Sequence, residues 1–195
     1  MAIQLKLAIE DEYILREFLK CIGSDAHIKY ANYLTAQNKE PRTAAYVCIT
    51  SEKICADLAR YNVIPRKTWS YIPVPLNTEM MPHFVRGYFD GDGTIYRLRK
   101  SFKGWLTDYR VAVVGNEQTM LFFQHYLKTK GIEAAVVKSK REGRLFRLEL
   151  RTSKAKLDFI GLLYIDTHNF CLTRKRILAD EFAALAARNG ENNAK

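Results

Sequence analysis

The stretch Val85-Arg86-Gly87-Tyr88-Phe89-Asp90-Gly91-Asp92-Gly93 decides how the rest of this sequence is read. Asn77 or Thr78 can cap a helix whose first turn holds Glu79 and Pro82. The pattern predicts that this helix runs to about Phe89 and stops in Asp90-Gly91-Asp92-Gly93. Two features set it apart from an ordinary core helix. Gly87 and Gly91 share a face, although each costs about 1 kcal/mol of helix stability relative to alanine; such a face lets another backbone come close. Asp90 and Asp92 put two carboxylates at the helix end, where the dipole disfavours negative charge, a conflict that a metal cation would resolve. The plain alternative is a helix stopped by an Asp-Gly turn. An EF-hand fits poorly, because that loop needs glycine at its sixth position and Ile95 stands there.

Around this stretch lies a chain of 195 residues with 31 Lys+Arg against 21 Asp+Glu, a formal net charge of +10. The length fits one medium domain or two small ones. With 48% hydrophobic and 12% aromatic residues, most of the chain is expected to build a core rather than remain disordered. No apolar run is long enough to span a bilayer, and the first residues lack the layout of a secretory signal. The expected location is therefore intracellular: cytoplasm or nucleoid, or an organelle in a eukaryote. Cys21, Cys48, Cys55 and Cys171 have no CxxC spacing and read as reduced core thiols. His27, His83, His125 and His168 show no ligand spacing and read as surface or core residues. No Walker A loop, GxSxG or GxGxxG occurs. The positive surplus points to a polyanion, most often nucleic acid.

The chain also repeats itself. Leu19-Lys20-Cys21-Ile22-Gly23 and Leu127-Lys128-Thr129-Lys130-Gly131 stand 108 positions apart, as do Arg66-Lys67 and Arg174-Lys175; Thr50-Ser51-Glu52-Lys53 resembles Thr152-Ser153-Lys154. Each copy reads strand, helix, strand, strand, helix. The first comprises an alternating strand through Ile3, Leu5, Leu7 and Ile9, a helix over 12–22, a hairpin of 26–34 and 43–49 around 36–41, and a helix over 52–61 capped by Ser51. The second comprises 109–114, 117–130, 132–140, 145–151 and 153–164, followed by a helix over about 173–187 and a frayed polar end. Pro73 and Pro75 forbid a helix in the joint at 69–77.

Val85–Gly93 resembles the LAGLIDADG, or dodecapeptide, motif of homing endonucleases: Gly87, Asp90, Asp92 and Gly93 match its most characteristic positions, and Val85 and Phe89 are apolar where the pattern is apolar. Arg86 departs from it and is expected to face out. Ile64-Pro65-Arg66-Lys67-Thr68 and Leu172-Thr173-Arg174-Lys175 resemble the family's repeat-ending basic motif, so the resemblance covers nearly the whole chain. It implies an α+β fold of two pseudo-repeated αββαββα units, whose antiparallel sheets form a DNA-binding saddle. The implied division is a truncated first repeat at 1–76, a second repeat with the motif helix at 77–187, and a polar tail at 188–195.

By the same resemblance, Asp92 is the catalytic metal ligand and the Gly91 carbonyl a further ligand, with Mg²⁺ or another divalent cation as cofactor. Gly87 packs motif helices together, and Asp90 caps or braces the helix end. Lys67 and Lys175 match the lysines that approach the active-site water network. Double-stranded DNA is the implied partner. Its contacts are expected from outward strand residues: Gln4, Lys6, Lys29 and Tyr33 in the first copy, and Arg97, Arg99, Lys138, Lys140, Arg147 and Arg151 in the second.

The repeat offset would put the first copy's motif helix upstream of Met1. Three outcomes are then expected: a homodimer through Glu79–Phe89 in which two copies of Asp92 meet, an inactive DNA-binding fragment, or completion by an upstream segment or second polypeptide. The implied function is a metal-dependent, site-specific DNA endonuclease. The alternative is a catalytically inactive DNA-binding regulator, or a maturase that binds intron RNA on the same fold.

Overall fold

A computed structural model describes the chain except residues 36–37, 66, 99–108, 140–142, 166, 168–169 and 193–195; the side chains of 35, 38–39, 68 and 189–192 are also outside the description. The chain forms two compact units, Met1–Ile64 and Pro65–Lys195. The joint from Pro65 to Leu76 packs with the second: Tyr71 is buried there, and its carbonyl accepts from Asn116 and Thr119.

In the first unit, β1 (Ala2–Ala8), α1 (Glu12–Cys21), β2 (Lys29–Thr35), β3 (Asn38–Thr50) and α2 (Glu52–Ala59) follow in order. The strands form an antiparallel sheet, β1-β3-β2. Ile3, Leu5 and Leu7 of β1 and Ala45, Val47 and Ile49 of β3 meet Leu15 and Leu19 of α1 in one core. The alternating residues therefore form the opposite face. β3 already starts at Asn38, five residues before the start expected from sequence. Pro41 lies within it, beyond the last β1 pair at Ala8–Ala44 and beside a register shift in β2. No ladder donor is needed from it there.

The second unit contains α3 (Met80–Asp92), β4 (Gly93–Arg97), β5 (Tyr109–Gly115), α4 (Glu117–Thr129), β6 (Ala135–Lys138), β7 (Phe146–Glu149), α5 (Ser153–Tyr164) and α6 (Thr173–Asn192). Its antiparallel sheet runs β4-β5-β7-β6. Apart from the added β4, this is the order of the first sheet with β5, β7 and β6 in place of β1, β3 and β2. Phe89, Ile95, Val111, Val113, Phe123, Leu148 and Phe159 occupy a single core between sheet and helices. The mixed α+β architecture with antiparallel sheets is as expected.

Helix boundaries repeat as well. Gly23 and Gly131 have φ of +61° and +71°. In α1, Gly23 N–H and Ser24 N–H return to the carbonyls of Lys20 and Leu19; in α4, Gly131 N–H and Ile132 N–H return to those of Lys128 and Leu127. Both are Schellman ends, in which a left-handed residue lets the chain reverse and satisfy the last carbonyls. Ile132 is thereby drawn into the cap and buried, so β6 begins only at Ala135. Ser51 and Thr152 cap α2 and α5 through Ile54 N–H and Ala155 N–H. Ser51 thus corresponds to Thr152, one residue out of step with the match read from sequence. The last helix, α6, continues to Asn192 rather than ending near Ala187. Only Cys171 of the four cysteines is buried; Cys21 and Cys48 are exposed rather than in the core.

Gly131→Ala forces a Cβ into left-handed backbone and is expected to cost about 1 kcal/mol. Gly161→Ala, in the last turn of α5 with nothing within 4 Å of a new Cβ, is expected to add about 0.4–1 kcal/mol. Urea denaturation of both variants measures the contrast, and equal effects would refute the assignment of Gly131 to a helix cap.

Candidate active site and nucleic-acid face

The helix α3 starts where Asn77 Oδ1 accepts Met80 N–H at 2.9 Å. It runs three residues past Phe89, to Asp92. Two features carry it that far. Gly93 N–H donates to the Phe89 carbonyl, and a Cβ at Gly93 would collide with that carbonyl and with the Phe89 ring. Lys175, in the first turn of α6 and 6% exposed, donates from Nζ to the carbonyls of Phe89 (2.6 Å), Asp90 (2.9 Å) and Gly93 (2.6 Å). An ammonium has three N–H donors, and three carbonyls take them. A cation at this end also complements the helix dipole.

The contact is reciprocal. Asp90 Oδ2 accepts the Leu172 N–H at 3.0 Å, and Tyr164 Oη stands 3.5 Å from Oδ1. Burial pushes the Asp90 carboxyl up, opposed by the Leu172 N–H and by the charges of Lys175 and Arg86. Arg86 is buried rather than facing out, at 5% exposure. Its Nε donates to the Phe170 carbonyl and its Nη1 to that of Leu163, while Nη2 and His83 Nδ1 are 2.9 Å apart. These carbonyls, one in the last turn of α5 and one in the segment before α6, explain why a long cation turns inward.

Asp92 closes α3. It is accessible to solvent, yet the protein crowding the helix end strips hydration from its charge and raises its pKa above the ordinary 3.8; Lys175 and then Lys67 pull it down. Tyr88, one turn earlier, is pushed up to about 12 by burial and then by the Asp92 charge. A Cβ at Gly115 would strike the Tyr88 hydroxyl, so that glycine makes room for the tyrosine. Lys67 lies in a short 3-10 turn, Lys67–Trp69. The Gly91 carbonyl is not among those that Lys175 holds. Gly87 and Gly91 are exposed, with nothing within 4 Å of a new Cβ. Among the described residues, no group of three or more His, Cys, Asp or Glu side chains converges to hold a metal. Of the two carboxylates at this helix end, Asp90 is turned to Leu172 and Asp92 is exposed.

The sheet faces away from the helices sort the expected DNA contacts. In the first unit, the pairs Gln4–Cys48, Lys6–Tyr46, Lys29–Tyr46 and Tyr33–Arg42 all lie on that face, and Lys6 Nζ sits 5.1 Å from the Tyr33 ring centre. Gln4, Lys6, Lys29 and Tyr33 are thus together as expected; Arg42 and Tyr46 join them unforeseen. In the second unit, Arg147 lies on the outer face, which by alternation Arg151 continues. Arg97 does not: it pairs opposite Tyr109 on the helix side, donating to the Tyr109 hydroxyl and to Glu181. Buried Ile95, two residues earlier, carries the signal for that parity. Lys138 also falls on the helix side, opposite Phe146 and two residues from core-packed Val136. The adjacent pair Val136-Val137 concealed which side faced in. Arg99 and Lys140 lie outside the described residues, as does Arg66. Arg110, Tyr96 and Glu149 are outer-face residues that strand reading missed; Arg110 was legible as the one polar position between Tyr109 and Val111.

Residues 79–160 match the LAGLIDADG-like domain family. No curated protein matches the chain. Among solved structures, the meganuclease I-SmaMI bound to uncleavable DNA with a TTCT central four is similar at a TM-score of 0.68 and 13% identity, over 98% of this chain and 81% of that one. The I-SmaMI LAGLIDADG homing endonuclease bound to cleaved DNA gives 0.67 and 12%, over 98% and 80%. I-SmaMI bound to uncleaved DNA in the presence of calcium ions gives 0.63 and 11%, over 98% and 81%. Residues 79–160 are therefore a LAGLIDADG-like domain, and the chain has the LAGLIDADG homing-endonuclease fold. No described helix is long and apolar enough to cross a membrane.

The raised pKa of Asp92 means that the folded protein holds this proton more tightly than the unfolded chain does. Its ionised form therefore costs stability above the raised value, and the cost is relieved as pH falls through it. Asp92→Asn is expected to leave the Tm at pH 7 unchanged or higher, and to flatten its dependence on pH above 3.8. A clearly lower Tm at pH 7 would contradict this.

Proposed function

We propose that the chain is a homing-type endonuclease that hydrolyses phosphodiester bonds of double-stranded DNA at a specific site, using a divalent cation, Mg²⁺ in the first instance. The observation that carries this is Asp92: an accessible but poorly hydrated carboxylate on a helix end that Lys175 fastens by three hydrogen bonds. Hard oxygen donors suit Mg²⁺, which is commonly held by one or two carboxylates with water and phosphate completing the shell. Asp92 and the Gly91 carbonyl fit that role. A bound divalent cation supplies activated water and neutralises charge on the leaving oxygen. Lys67, whose charge reaches Asp92, steadies the phosphate or the attacking water. Lys175 acts by holding the helix end.

The outer faces grip DNA through Lys6, Lys29 and Arg42 in the first unit and Arg110, Arg147 and Arg151 in the second. The exposed face of Glu79–Phe89 receives a second copy of the chain: Gly87 is open there and Met80 is 51% exposed. This pairing would bring two copies of Asp92 together. A second reading, an inactive DNA-binding regulator or a maturase that binds intron RNA, is favoured by the lack, among the described residues, of a group of three or more metal-ligating side chains around Asp92.

Duplexes selected by binding from a random library, then given Mg²⁺, test the proposal. Wild type is expected to cleave them and EDTA to stop it. Asp92→Asn should still bind, with the steep salt dependence of phosphate contacts, but not cleave. Cleavage by Asp92→Asn would refute the role of Asp92, whereas binding without cleavage by wild type would favour the second reading. In sedimentation of the same samples, Gly87→Leu should dissociate a wild-type dimer; a monomeric wild type would exclude that pairing.

A further inference from the structure

We infer that Arg147 and Glu149, braced by Arg110, read one G·C base pair. This rests on the reading that the outer sheet face meets duplex DNA. Arg110 Nη2 lies 2.8 Å from Glu149 Oε1, and Arg147 Nε lies 3.5 Å from the same oxygen. Register places Glu149 opposite Ala112 and Ala135, and Arg147 opposite Val114 and Val137. The three charges therefore rise from a floor of small and apolar residues.

A carboxylate is out of place on a face that only grips phosphate. The paired rows of the first unit's outer face carry Lys6, Lys29 and Arg42; Glu40, two residues from Arg42 in β3, stands in no pair and is exposed. In the second unit, Glu149 keeps only 20% of its side chain exposed, so it has lost much of its hydration as well. Both arginines approach the same oxygen. Among the described residues, Glu149 Oε2 accepts no hydrogen bond, and the Nη1 and Nη2 groups of Arg147 donate none. Arg147 Nε is buried without a hydrogen bond, while 36% of the side chain remains exposed.

What remains on offer is a two-donor fork beside a single acceptor. In the major groove, guanine presents two acceptors, O6 and N7, and its paired cytosine presents the N4 donor. The Arg147 fork suits the guanine and Glu149 Oε2 the cytosine. No other base pair presents that combination, since adenine and thymine each put a donor or a methyl group where this array needs an acceptor or donor. Arg110 touches neither base; it is a positioning residue that holds Glu149 in place.

The test is sequencing of duplexes selected from a random library in EDTA, with wild type, Glu149→Gln and Arg147→Gln, each checked by thermal melting. One position in the wild-type site is expected to demand G·C. Each substitution should reduce discrimination there by roughly ten- to a hundredfold, leaving the other positions unchanged. Arg147→Gln keeps the Arg110–Glu149 pair, so it decides the matter if Glu149→Gln fails to fold. Unchanged preferences, or equal weakening at every position, would overturn the inference while leaving DNA binding intact. If wild type enriches no duplex, the DNA-binding reading fails and this inference with it.

Discussion

The ammonium of Lys175, set among the carbonyls of Phe89, Asp90 and Gly93, is the contact on which the end of α3 depends. A helix leaves its last four carbonyls unpaired, and α3 adds two carboxylates to the same end. Hydrogen bonds to charged donors contribute about 1.5–3 kcal/mol each, enough to keep a terminal turn from fraying. Lys175 also sits over the Phe89 ring, 5.0 Å from its centre. The end of the helix is thus joined to the core through the same phenylalanine whose carbonyl it closes. Asp90 returns the favour to α6 by accepting the Leu172 N–H, and Arg86 ties in the segment between α5 and α6. Asp92 is therefore the exposed last residue of a clamped turn rather than the loose end of a helix.

This arrangement separates side chains that hold backbone from side chains left open to solvent. Arg86, Asp90 and Lys175 face inward and hold backbone. Asp92 is exposed and Lys67 partly exposed, and neither is tied into the backbone in that way. The sheets make a similar division, with helices covering one face and leaving the other open. Both units use the same strand order and the same helix-ending devices, yet their open faces differ. The first is basic and carries two tyrosines, Tyr33 and Tyr46; the second places Glu149 between Arg110 and Arg147. One scaffold thus presents two open faces of different charge pattern.

Much of this was legible in the residues. The Asp-Gly-Asp-Gly run, the 108-residue offset and the alternation of β1 pointed to the motif helix, the repeat and the first unit's open face. In β1 the inward and outward sets are unambiguous, so Gln4 and Lys6 could be placed by parity alone. Where adjacent residues were both apolar, as at Val136-Val137, parity had no purchase and Lys138 was assigned to the wrong side. In β4 the inward marker was Ile95 alone, and Arg97 followed it. Arg86 was unreadable for a different reason: its partners, the Leu163 and Phe170 carbonyls, are backbone groups 77 and 84 residues away. The length of α3 was hidden in the same way, because the group that extends it is a lysine on another helix.

Amide hydrogen exchange at Gly93 tests most directly whether Lys175 holds this turn. The Gly93 N–H is bonded to the Phe89 carbonyl that Lys175 also engages. In Lys175→Met, protection of Gly93 and the neighbouring α3 amides is expected to collapse, while the amides of α1 in the other unit keep theirs. Unchanged protection at Gly93 in a folded Lys175→Met protein would contradict the account.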